Sequence, residues 1–282
     1  MKGWRLIEDS VIRDGAWNMA VDEVLYREIE SGERQRPSLR VYEWSKPCLS
    51  IGYHQSLDSG CDDEFCKRHG IDIVRRPTGG RAVLHADEVT YSVVGSLSDG
   101  PFKGLDLMDV YLSIAAALEK GLARLGLEVA VSRRPTTLSP ASEDPCFASP
   151  SSGEILVEGR KVVGSAQRRG ANAFLQHGAI PVKIDFDLLA MATCRRKDEA
   201  RRFQSLFIGV GSVNEKITRR SLKKAVVEGF RETFDGPWRE EKLDVREKAH
   251  AALLRREKYL SDEWTAVGAT SQGMKPSRTE EF

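Results

Sequence analysis

After Asp14 and Gly15 the apolar residues Ala20, Val21, Val24 and Leu25 recur at helical spacing, which predicts a packing helix with Asp22, Glu23 and Arg27 turned outward. Between residues 38 and 53 the period shortens. Leu39, Val41, Tyr42 and Trp44, then Leu49, Ser50, Ile51 and Gly52, read as paired strands split by the turn former Lys46-Pro47. Residues 62–69 read as a short helix, 71–76 as a strand ended by Pro77-Thr78-Gly79-Gly80, and 83–94 again as strand. Along 108–125, Val110, Ile114, Ala117, Leu118, Leu122 and Leu125 repeat at helix period, and Gly126 follows where a left-handed residue closes a helix.

A Ser/Pro-rich loop then runs over 132–152, carrying Pro135, Pro140, Pro145 and Pro150; loops of that length inside a compact domain are usually either functional or disordered. Ile155-Leu156-Val157, the turn Glu158-Gly159-Arg160 and Lys161-Val162-Val163 read as a hairpin. A strand over 173–182 carries His177-Gly178, helices are expected at 221–234 and 240–259, and residues 265–282 look frayed. Strands come in clusters with helices between them and without regular βα alternation. That predicts an α+β fold, a mixed β-sheet flanked by helices, in preference to a Rossmann or TIM-type arrangement. Gly79-Gly80 lies between strand-like segments with no helix directly after it, which removes the geometric ground for a P-loop or dinucleotide fingerprint.

The chain has 282 residues, enough for one main domain with an appendage. Its 43 Lys plus Arg against 42 Asp plus Glu leave a net charge of +1, and so no basic excess to neutralise phosphates; a nucleic-acid partner is not expected. The amino terminus turns acidic at Glu8-Asp9 before an apolar signal region forms, and no run is long and apolar enough to span a bilayer, so no membrane association is expected. Cys48, Cys61, Cys66, Cys146 and Cys194 are odd in number and lack CxxC spacing, which fits a reducing cytoplasm better than a disulfide framework.

Three segments carry candidate chemistry. Cys146 sits in Asp144-Pro145-Cys146-Phe147-Ala148-Ser149-Pro150, bracketed by prolines and outside any helical period; it reads equally as a nucleophile or as an incidental loop cysteine. A thiol titrating near ~8.5 needs a neighbouring cation to be reactive at neutral pH. Lys161 is a candidate for that cation and for a donor to an acyl carbonyl, against the plainer reading of a solvated turn lysine. In Arg75-Arg76-Pro77-Thr78-Gly79-Gly80-Arg81-Ala82-Val83-Leu84-His85 the glycines allow close backbone approach to a ligand and the arginines can meet an anion or stack, against the reading of a tight turn between strands. His85 and His177, taken singly, read as structural histidines.

Taken together, Arg75-Arg76-x-x-Gly79-Gly80-x-Ala82-Val83-x-His85, Glu158-Gly159-Arg160-Lys161-Val162-Val163-Gly164-Ser165-Ala166-Gln167 and His177-Gly178 resemble, in order and spacing, the lipoate-protein ligase and octanoyltransferase superfamily over about residues 1 to 235. Cys146-Phe147 lies fifteen residues ahead of Lys161, as in one octanoyltransferase branch, where ATP-dependent ligases typically carry an Asn-Asp-type segment. The resemblance implies the catalytic fold shared with biotin-protein ligases over 1–235, followed by a helical extension with a frayed tail over 236–282. It implies transfer of an octanoyl group from octanoyl-acyl carrier protein, through a thioester on Cys146, to a lysine of a lipoyl domain or of the glycine-cleavage H protein. Lys161 would activate the thiol. Arg76, Gly79, Gly80 and His85 would line the mouth of the acyl tunnel, and Gly164, Ser165, Ala166, His177 and Gly178 the rest; no cofactor, metal or nucleotide is implied. An octanoyl amidotransferase drawing on the H protein, an ATP-dependent lipoate ligase, and a catalytically inactive scaffold are the alternatives. The last fifty or so residues are few for the accessory domain that ligases often carry.

Overall fold

The computed structural model describes residues 3–9, 11–132, 153–194 and 196–267. Its strands in chain order are β1 (Trp4–Glu8), β2 (Ser38–Tyr42), β3 (Cys48–Ile51), β4 (Asp72–Arg75), β5 (Val83–His85), β6 (Glu88–Ser96), β7 (Val129–Val131), β8 (Ile155–Val157), β9 (Arg160–Lys161), β10 (Gly164–Arg169), β11 (Ala173–Pro181) and β12 (Trp238–Glu240). The helices are α1 (Gly15–Glu30), α2 (Leu57–Gly60), α3 (Asp63–Arg68), α4 (Leu107–Ala123), α5 (Phe186–Cys194), α6 (Glu199–Leu206), α7 (Val210–Val213), α8 (Arg219–Thr233), α9 (Val245–Leu254) and α10 (Asp262–Val267), with a π-helical turn over Arg255–Tyr259.

A six-stranded sheet in the order β10-β11-β6-β2-β1-β12 forms the centre. β12, β1 and β2 run parallel, while β2, β6, β11 and β10 pair antiparallel, so the sheet is mixed as expected. A smaller sheet, β4-β3-β5, and the ribbon β7-β8-β9 complete the strand pairing. The hairpin between β8 and β9 turns through Glu158 (φ 52°) and Gly159 (φ 73°), the two left-handed residues that match the twist of paired strands.

The two faces of the central sheet differ. On one, Leu39, Val41, Tyr91, Val93 and Phe174 pack against α4 and α8 in a wholly buried apolar layer that includes Trp4, Phe102 and Phe230. α4 is opened by the Asp106 carboxylate accepting from the Asp109 amide, and Gly126 (φ 77°) turns the chain beyond its end. On the other face lie Tyr42, Val94, Ala173 and Leu175 against α1, opened by Asp14 accepting from the Trp17 amide.

Here the structure corrects the helical pattern. Asp22 and Glu23 do not face solvent: they are 0% and 2% exposed. The side of α1 away from the sheet is covered by α9 and the 255–259 turn, so both faces of the helix are interior. Glu23 accepts from Lys258 Nζ (2.8 Å) and Tyr259 Oη (2.5 Å), and Asp22 is paired with Arg40. Past residue 236 the chain is not helical at once: Trp238 stacks on Trp4 with ring centroids 4.8 Å apart and brings β12 alongside β1. Three residues carry no periodicity from which such an edge strand is readable.

Among the described residues no helix is long and apolar enough to cross a membrane.

Candidate acyl-binding cleft

Strand register aligns the small residues Gly164, Ala179 and Thr90 across β10, β11 and β6, with Tyr42 closing the row on β2. Gly164 on β10 opposes Ala179 on β11, Ala179 opposes Thr90 on β6, and Thr90 opposes Tyr42 on β2. The next row is Ala166, His177, Ser92 and Arg40. With strands spaced about 4.8 Å apart, small residues at successive positions leave a furrow across the strands. β3 and β5 of the smaller sheet bring Ser50, Val83 and His85 to the same space. The result is a cleft with about 340 Å³ of empty space, counting its open mouth, lined among others by Met19, Tyr42, Trp44, Ser50, Arg76, Val83, His85 and His177.

Of the residues singled out from the sequence, Arg76, His85, Gly164, Ser165, Ala166, His177 and Gly178 all line this one cleft, although they come from three separated segments. Gly178 is needed there for space: a Cβ at this position would lie 2.7 Å from the Tyr91 ring and 2.8 Å from the Gly164 carbonyl oxygen. Gly79 and Gly80 are not among the lining residues. The Gly79 carbonyl accepts from Arg76, and Gly80 takes a left-handed φ of 84° against Gly52, so the pair makes the turn that carries Arg76 and Thr78. Lys161 does not line the cleft either. Its ammonium is 2.5 Å from Glu154 Oε1, with both side chains buried, and its carbonyl accepts from the Ile208 amide. Cys146 lies outside the described residues.

The two histidines share one wiring. His177 Nδ1 is 2.9 Å from Asp22 Oδ2 and its Nε2 is 2.7 Å from Thr78 Oγ1. Burial holds the His177 pKa below its ordinary value despite the Asp22 charge beside it, so the ring is neutral at neutral pH. A carboxylate can only accept; Nδ1 therefore carries the proton and Thr78 donates to Nε2. Burial pushes the Asp22 carboxyl up, but the Arg40 charge and the His177 hydrogen bond outweigh it and hold it below the usual range. His85 Nδ1 meets Glu88 Oε1 at 2.7 Å and its Nε2 meets Ser50 Oγ at 2.8 Å. Trp44 stacks on His85 at 3.8 Å and donates to Thr90 Oγ1, which donates in turn to Glu88. Every ring nitrogen is thus engaged, and the histidines build a rigid wall in place of offering a free base to the cleft. Arg76 likewise donates to the Gly79, Arg81 and Ser50 carbonyls.

Sequence reasoning did not find Asp22, Ser50, Thr78, Glu88 or Glu154. Glu154 had a signal: Leu156 opposes Lys161 across the hairpin, so an acid two residues before Leu156 is the diagonal neighbour on the same face. Asp22 had none, because its partners His177 and Arg40 are distant in sequence. Among the described residues no group of three or more His, Cys, Asp or Glu side chains is placed to hold a metal ion.

Comparison with known proteins adds to this geometry. Residues 14–232 match the lipoyl protein ligase A/B catalytic domain. The chain is 38% identical over 272 residues to a protein of Carboxydothermus hydrogenoformans named octanoyltransferase LipM, covering 94% of this chain and 98% of that one. A protein of the same name from Bacillus subtilis is 34% identical, with 93% and 97% covered. Among solved structures, a lipoate-protein ligase A bound with ATP superposes with a TM-score of 0.77 at 27% identity, covering 94% of this chain and 99% of that one. A bi-partite lipoate protein ligase from Thermoplasma acidophilum, described with its E2 lipoyl domain, gives 0.75 at 26%, covering 94% and 96%.

Proposed function

We infer the function from one premise: the chain belongs to the lipoyl protein ligase A/B catalytic domain family, and we propose that within it this protein is an octanoyltransferase of protein lipoylation. The donor is octanoyl-acyl carrier protein and the nucleophile is Cys146. Its thiolate attacks the thioester carbonyl, the carrier's thiolate leaves, and an octanoyl-thioester enzyme results. The ε-amine of a lysine on a lipoyl domain or on the glycine-cleavage H protein then attacks that carbonyl, the Cys146 thiolate departs, and loss of the amine proton leaves an amide. The first step exchanges one thioester for another and amide formation drives the second, so no nucleotide is consumed. A cytoplasmic site of action fits the cysteine usage.

The observation that carries this reading is the cleft, in which three separated segments converge on an apolar furrow floored by Gly164, Ala166 and Ala179. Such a floor suits an acyl chain, whose burial contributes about 0.8 kcal/mol per methylene. Arg76, His85 and His177 supply walls with fixed hydrogen bonds, as a preorganised site requires. Lys161, held by Glu154, is the cation assigned to thiolate and carbonyl stabilisation.

The test is intact mass after incubation with octanoyl-acyl carrier protein. A gain of one octanoyl group, lost in Cys146→Ser, is expected. An adduct formed only from octanoyl-H protein identifies an amidotransferase instead, dependence on ATP plus free octanoate identifies a ligase, and no adduct from any donor removes the reading. Lys161→Ala should lower transfer by about 100-fold or more. Because that change breaks the buried Lys161–Glu154 pair, at about 3–5 kcal/mol, the double variant Lys161→Met/Glu154→Gln should recover stability without recovering transfer.

A further inference from the structure

Arg75 and Arg76 are adjacent and both buried, yet only Arg76 lines the cleft. The Arg75 guanidinium points the other way, into a shell of backbone carbonyls. It donates to Gly52, Tyr53 and Gln55 at 2.8, 3.0 and 2.7 Å on one side, and to Trp264, Thr265 and Ala266 at 3.0, 2.8 and 3.2 Å on the other. Trp264 answers with its indole Nε1, which donates to the Arg75 carbonyl at 3.0 Å. A planar fork with five donors can join two chain segments in this way, whereas an ammonium on a flexible stem cannot.

Both ends of this clamp are tied to other parts of the molecule. Lys258 Nζ lies 3.9 Å from the Trp264 ring centroid and is itself paired with buried Glu23 on α1. At the other end, the 52–55 loop braces the turn beside the cleft: Tyr53 donates its amide to the Thr78 carbonyl at 2.9 Å, and a Cβ on Gly52 would lie 1.7 Å from the Gly80 carbonyl oxygen. Thr78 in turn holds His177, and Arg76 forms part of the cleft wall.

We propose that Trp264 and Arg75 are positioning residues for the acyl cleft: α10 and Arg75 fix the 52–55 loop, the loop fixes the 77–80 turn, and the turn sets Arg76 and the Thr78–His177 pair. The ligand named here, an octanoyl donor, rests on the function proposed above; the strut itself does not.

Two readouts keep the two ideas apart. In the full-length protein, Trp264→Phe, which keeps an aromatic ring and removes the indole donor, should speed amide hydrogen exchange across residues 52–55 and 76–80 by about 3- to 10-fold, the equivalent of one hydrogen bond. Arg75→Lys should do the same or more although the charge is kept. Exchange there equal to wild type in Trp264→Phe overturns the strut, whatever the substrate. For transfer, Trp264→Phe should raise KM for octanoyl-acyl carrier protein by a similar factor with kcat within about twofold, since the acyl wall moves and the reacting groups do not. An unchanged KM with kcat falling in step with the folded fraction would reduce Trp264 to a stability role and also overturn the proposal. If wild type transfers no octanoyl group, the functional reading fails and the exchange measurement still decides the strut.

Discussion

The central sheet has two faces built by alternate residues of the same strands, and they serve different ends. Along β6, Tyr91 and Val93 point into the apolar layer beneath α4 and α8, while Thr90 and Ser92 point toward α1 and the cleft. Along β11, Phe174 belongs to the first face and His177 and Ala179 to the second. The apolar face owes its stability to area and close packing. The cleft face carries buried charge, Asp22 and Arg40, whose desolvation is offset only because each has its partner in place, with half-buried Asp9 as a second acid for Arg40. A one-residue slip in register would exchange the two roles, which is why both faces constrain the strands so strongly.

The largest expected effect separates the faces directly. Phe174→Ala, which empties space beside Phe102 in the apolar layer, should cost about 3–5 kcal/mol in denaturant unfolding while leaving octanoyl transfer per folded molecule near wild type. Asp22→Asn acts on the other face. Arg40 keeps Asp9, so the loss should be about 3 kcal/mol, yet transfer per folded molecule should fall as well: both Asp22 oxygens accept, one from Arg40 and the other from Tyr42 and His177, and a carboxamide, with a single oxygen, turns N–H donors toward one of those sides. Normal transfer in that variant would erase the distinction between the faces.

Next in size is an acid limb of stability. Burial raises the Glu23 carboxyl, but Lys258 and Arg27 outweigh it and bring its pKa to about 2. A folded value below the ordinary 4.5 stabilises the protein above that pH, and the contribution fades as pH falls from near 4.5 toward 2. It amounts to roughly 3 kcal/mol at neutral pH. Stability measured against pH should lose that much of its acid slope in Glu23→Gln; an unchanged slope would place the dependence elsewhere. The smallest effect belongs to Arg27→Ala. Its side chain is more than half exposed, so less than about 1 kcal/mol should be lost although it touches the same carboxylate.

Much of the local structure was legible from residues near one another in the chain. The helix over 107–123 follows from its apolar period, the β8–β9 hairpin from Glu158-Gly159, and the mixed sheet from clustered strands. The cleft segments were legible as motifs, and eight of the residues they contain meet at one site. Their roles were less so. Gly79 and Gly80, open to the reading of a tight turn or of close approach to a ligand, form the turn that carries Arg76 and Thr78, and Arg75 grips the carboxyl-terminal segment through contacts 189 residues or more away in sequence.

By itself the sequence determined which segments become strands and helices and which short motifs stand out, because those depend on period and on turn chemistry within a few residues. Only the tertiary structure decided the fate of the charged groups. A hydrophobic period marks one buried face of a helix, and nothing in it tells that Asp22 meets Arg40 and His177 on the sheet side or that the carboxyl-terminal turn covers the other face of α1 and makes Glu23 interior. A buried charge is tolerable only beside its partner, and partners such as Asp22 with His177, 155 residues apart, meet only when the whole chain has folded.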